Sequence, residues 1–398
     1  MTMNRHKQSN GRAGFTLLEV MVSLTVGGIA LGSIYAVGAA STRHFREQQR
    51  ISAAQTSLRS AMATLKHDFQ RAGYLSTPNT NQTGQACAPP ATAQDGWVGA
   101  VNGYTRNAPK PTKLDPENLN TVKDANGEDF FSVDRVWLTG NYSTSGEYPN
   151  ISVVSDGWVV NVPMGWQSFQ RDFTEWTGTG VGTCNSAVFE SVFAVDRLVR
   201  LHAQNGTFFF ARVASTTCAG NATGTATVTL QDQLPAHCNM DGGWIAPVNT
   251  MYYHVEDAAA AREEDDLQQR TTVLRRSEVM PTARTTLLET AAGGSRVAVE
   301  DRSLLDYVVR FKVDFLMLDD ANRRISYVPM IDTEWRDAPH RVRAAIIDLA
   351  VRTPHQESDF TQDVPTAAFK LYTGKGAARV RRLRAEMLLP NIADRNLQ

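Results

Sequence analysis

The sequence predicts an α+β protein: a long N-terminal α-helix packed on a mostly antiparallel β-sheet head that contains a large insertion. Three observations lead to this fold class. Residues 15–40 form an apolar run whose only charged side chain is Glu19. Residues 41–72 continue with apolar side chains at helical spacing. From residue 130 onward, short runs rich in β-branched and aromatic residues are typical of strands.

The composition excludes several classes of protein. The 398 residues allow two or three domains, or one large β-rich domain with insertions. A total of 40 Lys and Arg against 41 Asp and Glu gives a net charge of −1, which argues against a dedicated nucleic-acid binder. Four cysteines are too few for a scaffold built on disulfides.

The N-terminal segment predicts a membrane-spanning helix. The apolar run is long enough to cross a bilayer, and residues 1–14 are basic without an acid, so we expect this leader on the cytoplasmic side and the remainder outside. A secretory signal peptide has a shorter apolar core, and a plain signal anchor is the second alternative. Neither explains Glu19 near the start of the run, because an ionisable residue in the membrane is costly and indicates a function.

The string Gly14-Phe15-Thr16-Leu17-Leu18-Glu19 resembles the class III signal of type IV pilins and of type II secretion pseudopilins. The resemblance implies that residues 1–14 are a prepilin leader and that a prepilin peptidase cuts after Gly14. It implies that Phe15 becomes the N-methylated first residue. It also implies that Glu19 neutralises the N-terminal amine of a neighbouring subunit during assembly, when two charges that are costly in lipid become one pair.

Residues 15–40 are then the transmembrane and filament-core helix of a pilin-like fold. Gly28 and Gly32 form a small-xxx-small pair that lets helices approach closely, although ordinary glycine usage in membrane helices is an equal alternative. Many major pilins have a proline where this chain has Ala36, and the departure favours a minor subunit.

Residues 41–73 predict an amphipathic helix that packs on the head rather than an independent coiled coil. Gly73 is the expected C-cap. The ending from Asp68 to Tyr74 resembles the D-x-x-x-A-G-Y string of PilW-type minor pilins, whereas J-type pseudopilins share the plan but less of the string. Seven apolar residues form the predicted stripe: Phe45, Ile51, Leu58, Met62, Leu65, Phe69 and Ala72.

The resemblance implies a non-enzymatic subunit of a type IV pilus. It implies partners: other minor pilins, the major pilin and an adhesin at the pilus tip, in a priming complex. The subunit would lie in the inner membrane, with a periplasmic head, before it joins the pilus. The alternatives left open are a J-type pseudopilin of type II secretion, or a tip module whose region 75–250 binds a surface or DNA.

The remainder divides into a loop- and strand-rich head insertion, 74–250, and a C-terminal β-rich pilin head, 251–398. Alternation over 303–315 predicts one strand with Val309, Phe311, Val313 and Phe315 on one face and Arg310, Lys312 and Asp314 on the other. Further strands are predicted at Val133–Leu138, Ile151–Val154, Trp158–Val162, Val188–Val192, Leu198–His202, Thr207–Val213, Thr225–Leu230, Met251–Val255, Thr271–Arg275, Arg341–Arg352 and Ala378–Leu389.

The four cysteines, Cys87, Cys184, Cys218 and Cys238, all follow the membrane span. An even number in an oxidising compartment predicts two disulfides, with three possible pairings. Proximity in the sequence favours Cys218–Cys238 and Cys87–Cys184. No pair has the C-x-x-C spacing of a zinc site, so we expect no metal there and no cofactor.

Two charged segments have ordinary explanations. The Asp124–Asp129 segment lacks the spacing of a calcium loop, so an Asn-Gly turn is favoured. A C-terminal cluster, Arg379, Arg381, Arg382 and Arg384, suits the charged face of an edge strand better than DNA contact. The sequence contains none of the common hydrolase, metalloprotease or nucleotide-binding motifs, so we expect no enzymatic activity.

Overall fold

The structure is a computed structural model that divides into two units, Met1–Ala53 and Ala54–Gln398. The residues that it describes are 15–76, 87, 100–105, 119–124, 127, 129–176, 182–220, 224–257, 271–279, 298–319, 323–330, 332, 334–338, 341–358, 360 and 364–393.

Helix α1 runs from Leu17 to Arg71 without interruption. Thr16 begins it, because its carbonyl and hydroxyl oxygens both accept the N–H of Glu19. Gly73 ends it at a φ of +78°, a conformation that suits glycine, and its N–H donates to the carbonyl of Thr139. The long helix is therefore confirmed.

Beyond α1, the described chain contains four short α-helices and eighteen strands, which turns, loops and short 3-10 helices connect. The helices are α2 (Gln167–Phe173), α3 (Ser186–Val192), α4 (Glu334–Asp337) and α5 (Pro390–Ala393). In chain order the strands are β1 (Val101–Thr105), β2 (Asp134–Gly140), β3 (Tyr148–Pro149), β4 (Ser152–Val154), β5 (Val159–Pro163), β6 (Thr174–Trp176), β7 (Gly182–Cys184), β8 (Leu198–His202), β9 (Phe208–Thr217), β10 (Thr225–Leu230), β11 (Trp244–Asp257), β12 (Thr272–Val279), β13 (Ala298–Asp306), β14 (Val308–Asp319), β15 (Arg324–Pro329), β16 (Val342–Arg352), β17 (Ala368–Phe369) and β18 (Ala378–Leu388).

The strands pair antiparallel in three sheets. An eleven-stranded sheet follows the order β1-β2-β11-β8-β9-β10-β5-β4, with β12 and β3 also paired to β11 and β13 paired to β12. A five-stranded sheet follows the order β15-β14-β16-β18-β17, and β6 pairs with β7. A parallel bridge between Val133 and Phe311 joins the two larger sheets. The α+β class with a mostly antiparallel head is therefore confirmed.

The larger of two main cores lies under the C-terminal part of α1. Leu58, Met62, Leu65 and Phe69 are buried there together with residues of both large sheets, among them Tyr253 of β11. The predicted stripe holds in this part of the helix. It does not hold farther toward the N-terminus, where Phe45 is 67% exposed.

The second core belongs to the disulfide lobe, which we define as residues 148–245 together with Cys87. Five aromatic rings interlock at its centre with centroids 4.9–6.1 Å apart, which stabilises the lobe beyond simple burial. They are Tyr148, Phe169, Phe173, Phe189 and Phe193.

The predicted strand at Val188–Val192 is wrong, because this segment lies in α3. The side chain of Asn185 accepts the N–H of Val188 and caps the helix. Phe189 and Val192, three residues apart, are buried, whereas Val188 is exposed. The local cap and the helical spacing outweigh the strand preference of the two valines.

The predicted strand over 303–315 is divided at Tyr307, whose φ of +59° ends β13 before β14 begins. Phe311, Val313 and Phe315 share the face that packs under α1, as predicted. Val309 lies in a different cluster, because an irregularity in the pairing of β14 with β16 follows Val308. The polar face of β14, with Arg310, Lys312 and Asp314, is buried as well.

Candidate functional site

The N-terminal part of α1, considered by itself, presents the residues that the motif singles out. Phe15 is 81% exposed and Glu19 is also exposed, in the first turn of the helix. Gly14 lies outside the described residues. Thr16 and Glu19 have the spacing of a capping box, in which a glutamate at the third helical position supports the start of the helix. Glu19 therefore has a local structural role available besides the predicted pairing with an amine.

The apolar part of α1 satisfies its own polar groups. The hydroxyls of Ser23, Thr25, Ser33 and Thr42 each donate to a carbonyl four residues earlier, at 2.7–3.1 Å. Such pairing is what a hydrocarbon environment requires. By length and composition α1 can cross a membrane.

Gly28 and Gly32 leave open space on the surface of α1. A methyl group built at either position would meet no atom within 4 Å. Such a surface is compatible with close helix packing, and the role of the two glycines stays a prediction.

Asp68 holds the other end of α1 in the head. Its side chain is 3% exposed, and one carboxylate oxygen accepts from the hydroxyl of Tyr253 at 2.6 Å and from Nε of Arg276 at 2.7 Å. The hydroxyl of Tyr142 donates to the backbone carbonyl of Asp68 at 2.9 Å. A carboxylate this deeply buried needs such partners, and these connect α1 to the eleven-stranded sheet.

Protonation states reinforce this cluster. Burial raises the pKa of Tyr253 well above its usual value, and Asp68 raises it further, so the phenol keeps the proton that it donates. Burial likewise raises the pKa of Tyr142. Burial is the largest single effect and lowers the pKa of the Arg276 guanidinium, but the hydrogen bond and the negative charge of Asp68, with a smaller effect of Tyr253, together outweigh it and raise the pKa. Arg276 is therefore a fixed cation beside Asp68.

The Gly73-Tyr74 ending fits tightly against β2. The Tyr74 hydroxyl donates to the carbonyl of Ser145 at 2.6 Å. A methyl group at Gly140 would lie 2.6 Å from the carbonyl oxygen of Arg71, so only glycine permits this approach. The segment that resembles the PilW string thus fixes where α1 leaves the sheet.

The pairing of cysteines by proximity is wrong. The disulfides are Cys87–Cys238 and Cys184–Cys218. The chain between Cys218 and Cys238 runs away through β10, whereas the N–H of Cys184 donates to Gly220 and so lies beside the residues that follow β9. Among the described residues, Cys87, His237 and Cys238 have ligand atoms close enough to hold a metal, but both sulfurs belong to a disulfide.

Ion pairs account for part of the charge in the two segments noted in the sequence. Asp124, from the turn considered for calcium, contacts Lys312 at 3.2 Å and Arg310 at 3.4 Å, and Gly127 donates back to its carbonyl. In the C-terminal cluster, Arg382 pairs with Asp348 at 2.6 Å and Arg379 with Glu357 at 2.9 Å.

Sequence reasoning missed Arg276, Tyr253 and Tyr142 as partners of Asp68. Arg276 lies 208 residues from Asp68 in the chain, so no local spacing relates them. The one available signal was an acid within the apolar stripe of an amphipathic helix, which requires a buried partner.

Comparison with known proteins identifies a family motif in the N-terminal segment. The family model described as the prokaryotic N-terminal methylation motif matches residues 9–35, a range that includes Gly14, Phe15 and Glu19. No curated protein and no solved structure matches the chain. The motif implies processing by a prepilin peptidase and assembly with other pilins. Together with the apolar helix that it overlaps, the motif indicates a type IV pilin or pseudopilin-like protein.

Proposed function

We propose that this chain is a minor pilin of the PilW type, a non-enzymatic subunit that helps to start assembly of a type IV pilus. The observation that carries the proposal is one continuous helix with two different surfaces. Its N-terminal part, which carries the methylation motif, is apolar and exposed, and its C-terminal part is buried in a large head.

The mechanism follows from charge and burial. After cleavage at Gly14, the new amine at Phe15 would be costly in lipid, and so would the carboxylate of Glu19. Pairing the amine of one subunit with the acid of its neighbour removes both costs and aligns the two helices. Close packing at Gly28 and Gly32 would add contact along the aligned helices.

The proposal places the subunit in the bacterial inner membrane with its head in the periplasm before assembly. Its partners are other minor pilins, the major pilin and an adhesin at the tip of the pilus. Two disulfides suit this oxidising side of the membrane.

The experiment compares Glu19→Ala with Glu19→Gln in the full chain. Glutamine keeps the capping-box geometry of Glu19 but has no charge. If charge pairing drives assembly, both variants should still be processed by the peptidase. Their recovery in sheared pili should be at least about tenfold lower than that of wild type, which corresponds to a loss of about 1.4 kcal/mol in the free energy of incorporation. Glu47→Ala, on the same helix beyond the apolar run, is the control and should be incorporated normally.

Recovery of Glu19→Gln at the wild-type level would leave only the capping role and would contradict the proposed pairing. Gly14→Ala tests cleavage separately, because it should keep the longer precursor in the membrane. Normal processing of Gly14→Ala would contradict the assignment of the leader.

A J-type pseudopilin of a type II secretion system is the alternative within the same class. A pull-down with the full chain distinguishes a minor pilin from a pseudopilin by the partners that are recovered. Pilus subunits would support the proposal, and secretion pseudopilins would support the alternative.

A second candidate function is adhesion by the disulfide lobe, since three tryptophans of this lobe are exposed. Trp158, Trp166 and Trp176 are 41%, 48% and 62% exposed. Exposed aromatic rings are enriched at binding surfaces. The test replaces all three tryptophans with serine, which does not change β2 or the residues that contact Asp68 of α1. Lost adhesion with intact pili would support an adhesive lobe, whereas unchanged adhesion would exclude this role for the tryptophans.

A further inference from the structure

The feature that carries a further inference is β15, the edge strand of the five-stranded sheet. Five consecutive residues, from Arg323 to Tyr327, are exposed, and Ile325 and Tyr327 are 64% and 41% exposed. Among the described strands, only β14 pairs with β15. An edge strand presents a row of backbone N–H and C=O groups that can pair with another chain.

Three other strands at the edges of the described sheets, β3, β4 and β17, are shorter than β15. Strand β4 has three residues and is followed by positive φ angles at Ser155 and Asp156. Strands β3 and β17 have two residues each. Strand β15 begins with Arg324 and ends with Pro329, but the four residues between them include no charge and no proline, and its pairing with β14 shows no bulge. Proteins normally protect long apolar edges, so an unprotected one marks a pairing site.

Strand register shows that the exposed side chains of β15 lie on the face away from α1. Tyr327 is opposite Leu316, and Ile325 is opposite Leu318. Both leucines are half-buried, and their neighbour Met317, on the other face, belongs to the core under α1. An added strand would therefore extend an apolar surface beside Ile325 and Tyr327, on the side of the sheet that the helix leaves open.

We propose that β15 receives an extended strand from a neighbouring pilus subunit, which adds to the five-stranded sheet as a sixth strand. This inference rests on the proposed function, because subunits assembled into one pilus bring neighbouring heads side by side. The incoming strand has apolar residues at alternate positions facing Ile325 and Tyr327. It has an acidic residue near the exposed Arg323 and Arg324, where β15 begins.

The β15 strand of a second copy of this chain does not fit as an antiparallel partner. Antiparallel pairing of β15 with β15 in one continuous sheet needs a twofold axis perpendicular to the sheet. That axis reverses residues 54–71 of α1, which lie on the sheet, so these segments of the two copies would run in opposite directions. Heads that have the same orientation along one filament cannot be related by such a twofold axis.

The test uses the full chain in pilus-forming cells and compares Ile325→Lys with Leu388→Lys. The two side chains are matched, since both are exposed, at 64% and 65%, and lie on the same face of the sheet. Leu388 is three strands away from β15, about 14 Å at the usual strand spacing, beyond the reach of an added strand.

We expect Ile325→Lys to be processed normally and to be recovered in sheared pili at least tenfold less than wild type. Leu388→Lys should be recovered within twofold of wild type. Normal recovery of Ile325→Lys would overturn the proposal, and so would equal loss of both variants, which would mean packing on the whole sheet face. Absence of the wild-type chain from pili would instead contradict the proposed function.

Hydrogen exchange tests the backbone pairing directly. Amides alternate between the two sides of a strand, so only some of the amides of Ile325, Ser326 and Tyr327 point away from β14. Those amides should exchange at least a hundredfold more slowly in sheared pili than in the full chain in detergent. Equal rates would overturn strand addition. In the same cells, a Ser326→Cys variant reports antiparallel self-pairing in the register that places Ser326 opposite itself, because directly opposed residues are close enough for a disulfide. A covalent dimer of this chain would overturn a heterologous partner, and its absence is the expected result.

Discussion

At the scale of single residues, Asp68 carries the contacts that hold α1 on the head. Asp68→Ala would leave Arg276 charged and mostly buried without its carboxylate. Breaking a buried pair in this way costs about 3–5 kcal/mol. We expect the free energy of unfolding of the full chain in detergent, measured with urea, to fall by about that amount.

The matched control is Asp129→Ala. Asp129 pairs with Lys123 at 2.8 Å, but that lysine side chain is 58% exposed. Exposed pairs contribute about 0–1 kcal/mol, so the loss should be small. Equal losses for the two variants would show that Asp68 is no more than a surface charge in energetic terms.

His254 gives the head a dependence on pH. It stacks on Tyr252 at 4.4 Å and lies 3.5 Å from Glu256, its cross-strand neighbour is Arg275, and the charges of Arg135 and Asp301 also act on it. Burial lowers the pKa of His254 despite the opposing effect of Glu256. The folded state therefore binds this proton less readily than the unfolded state, where the histidine pKa is about 6.5.

The stability that His254 contributes is therefore complete above a pH of about 6.5. It declines as the pH falls from there through the lower pKa of the folded state. We expect His254→Phe, which keeps the stacked ring but cannot titrate, to lose less unfolding free energy than wild type between pH 7.5 and pH 5. Urea titrations at a series of pH values measure the difference. Identical pH profiles would contradict the lowered pKa.

At the scale of elements, the two disulfides determine how the disulfide lobe closes. Cys87–Cys238 and Cys184–Cys218 join residues 151 and 34 positions apart. Chain entropy gives about 5 and about 4 kcal/mol for loops of these lengths. We expect double Cys→Ser replacement of either pair to lower the unfolding free energy by up to these amounts, with the larger effect for Cys87 and Cys238.

Peptide mapping without reduction checks the pairing itself. A fragment that links Cys184 to Cys218 is expected, and one that links Cys218 to Cys238 would contradict the structure. The double variants of the two pairs serve as controls for each other, because both change two cysteines of the same lobe.

At the scale of the whole molecule, α1 has two parts that differ in what they stabilise. Leu65 is fully buried in the core under the helix, whereas Phe45 is 67% exposed. Truncating a buried leucine costs about 2–5 kcal/mol. Leu65→Ala should therefore lower the unfolding free energy of the head by this amount, whereas Phe45→Ala should change it by less than about 0.5 kcal/mol.

Urea unfolding followed by the fluorescence of the head tryptophans measures both variants. Phe45→Ala should affect only incorporation into sheared pili, because its side chain is free to contact another subunit. A large loss of head stability in Phe45→Ala would contradict the division of the helix into two functional parts.

The sequence by itself determined the features that depend on neighbours in the chain. The methylation motif, the uninterrupted apolar run and the start and end of α1 all follow from local composition, spacing and caps. Most strands follow from short runs of β-branched and aromatic residues. The segment at 188–192 is an exception, because the cap at Asn185 and the burial of Phe189 favour a helix.

Only the tertiary structure decided which distant residues meet. Arg276 reaches Asp68, and Cys87 reaches Cys238, because strand order in the sheets brings them together across 208 and 151 residues. Burial of the polar face of β14 and exposure of β15 depend in the same way on which elements cover each sheet. The spacing of residues along the chain does not predict such contacts. They form because the folded chain packs so that little apolar area stays exposed and few buried charges stay unpaired.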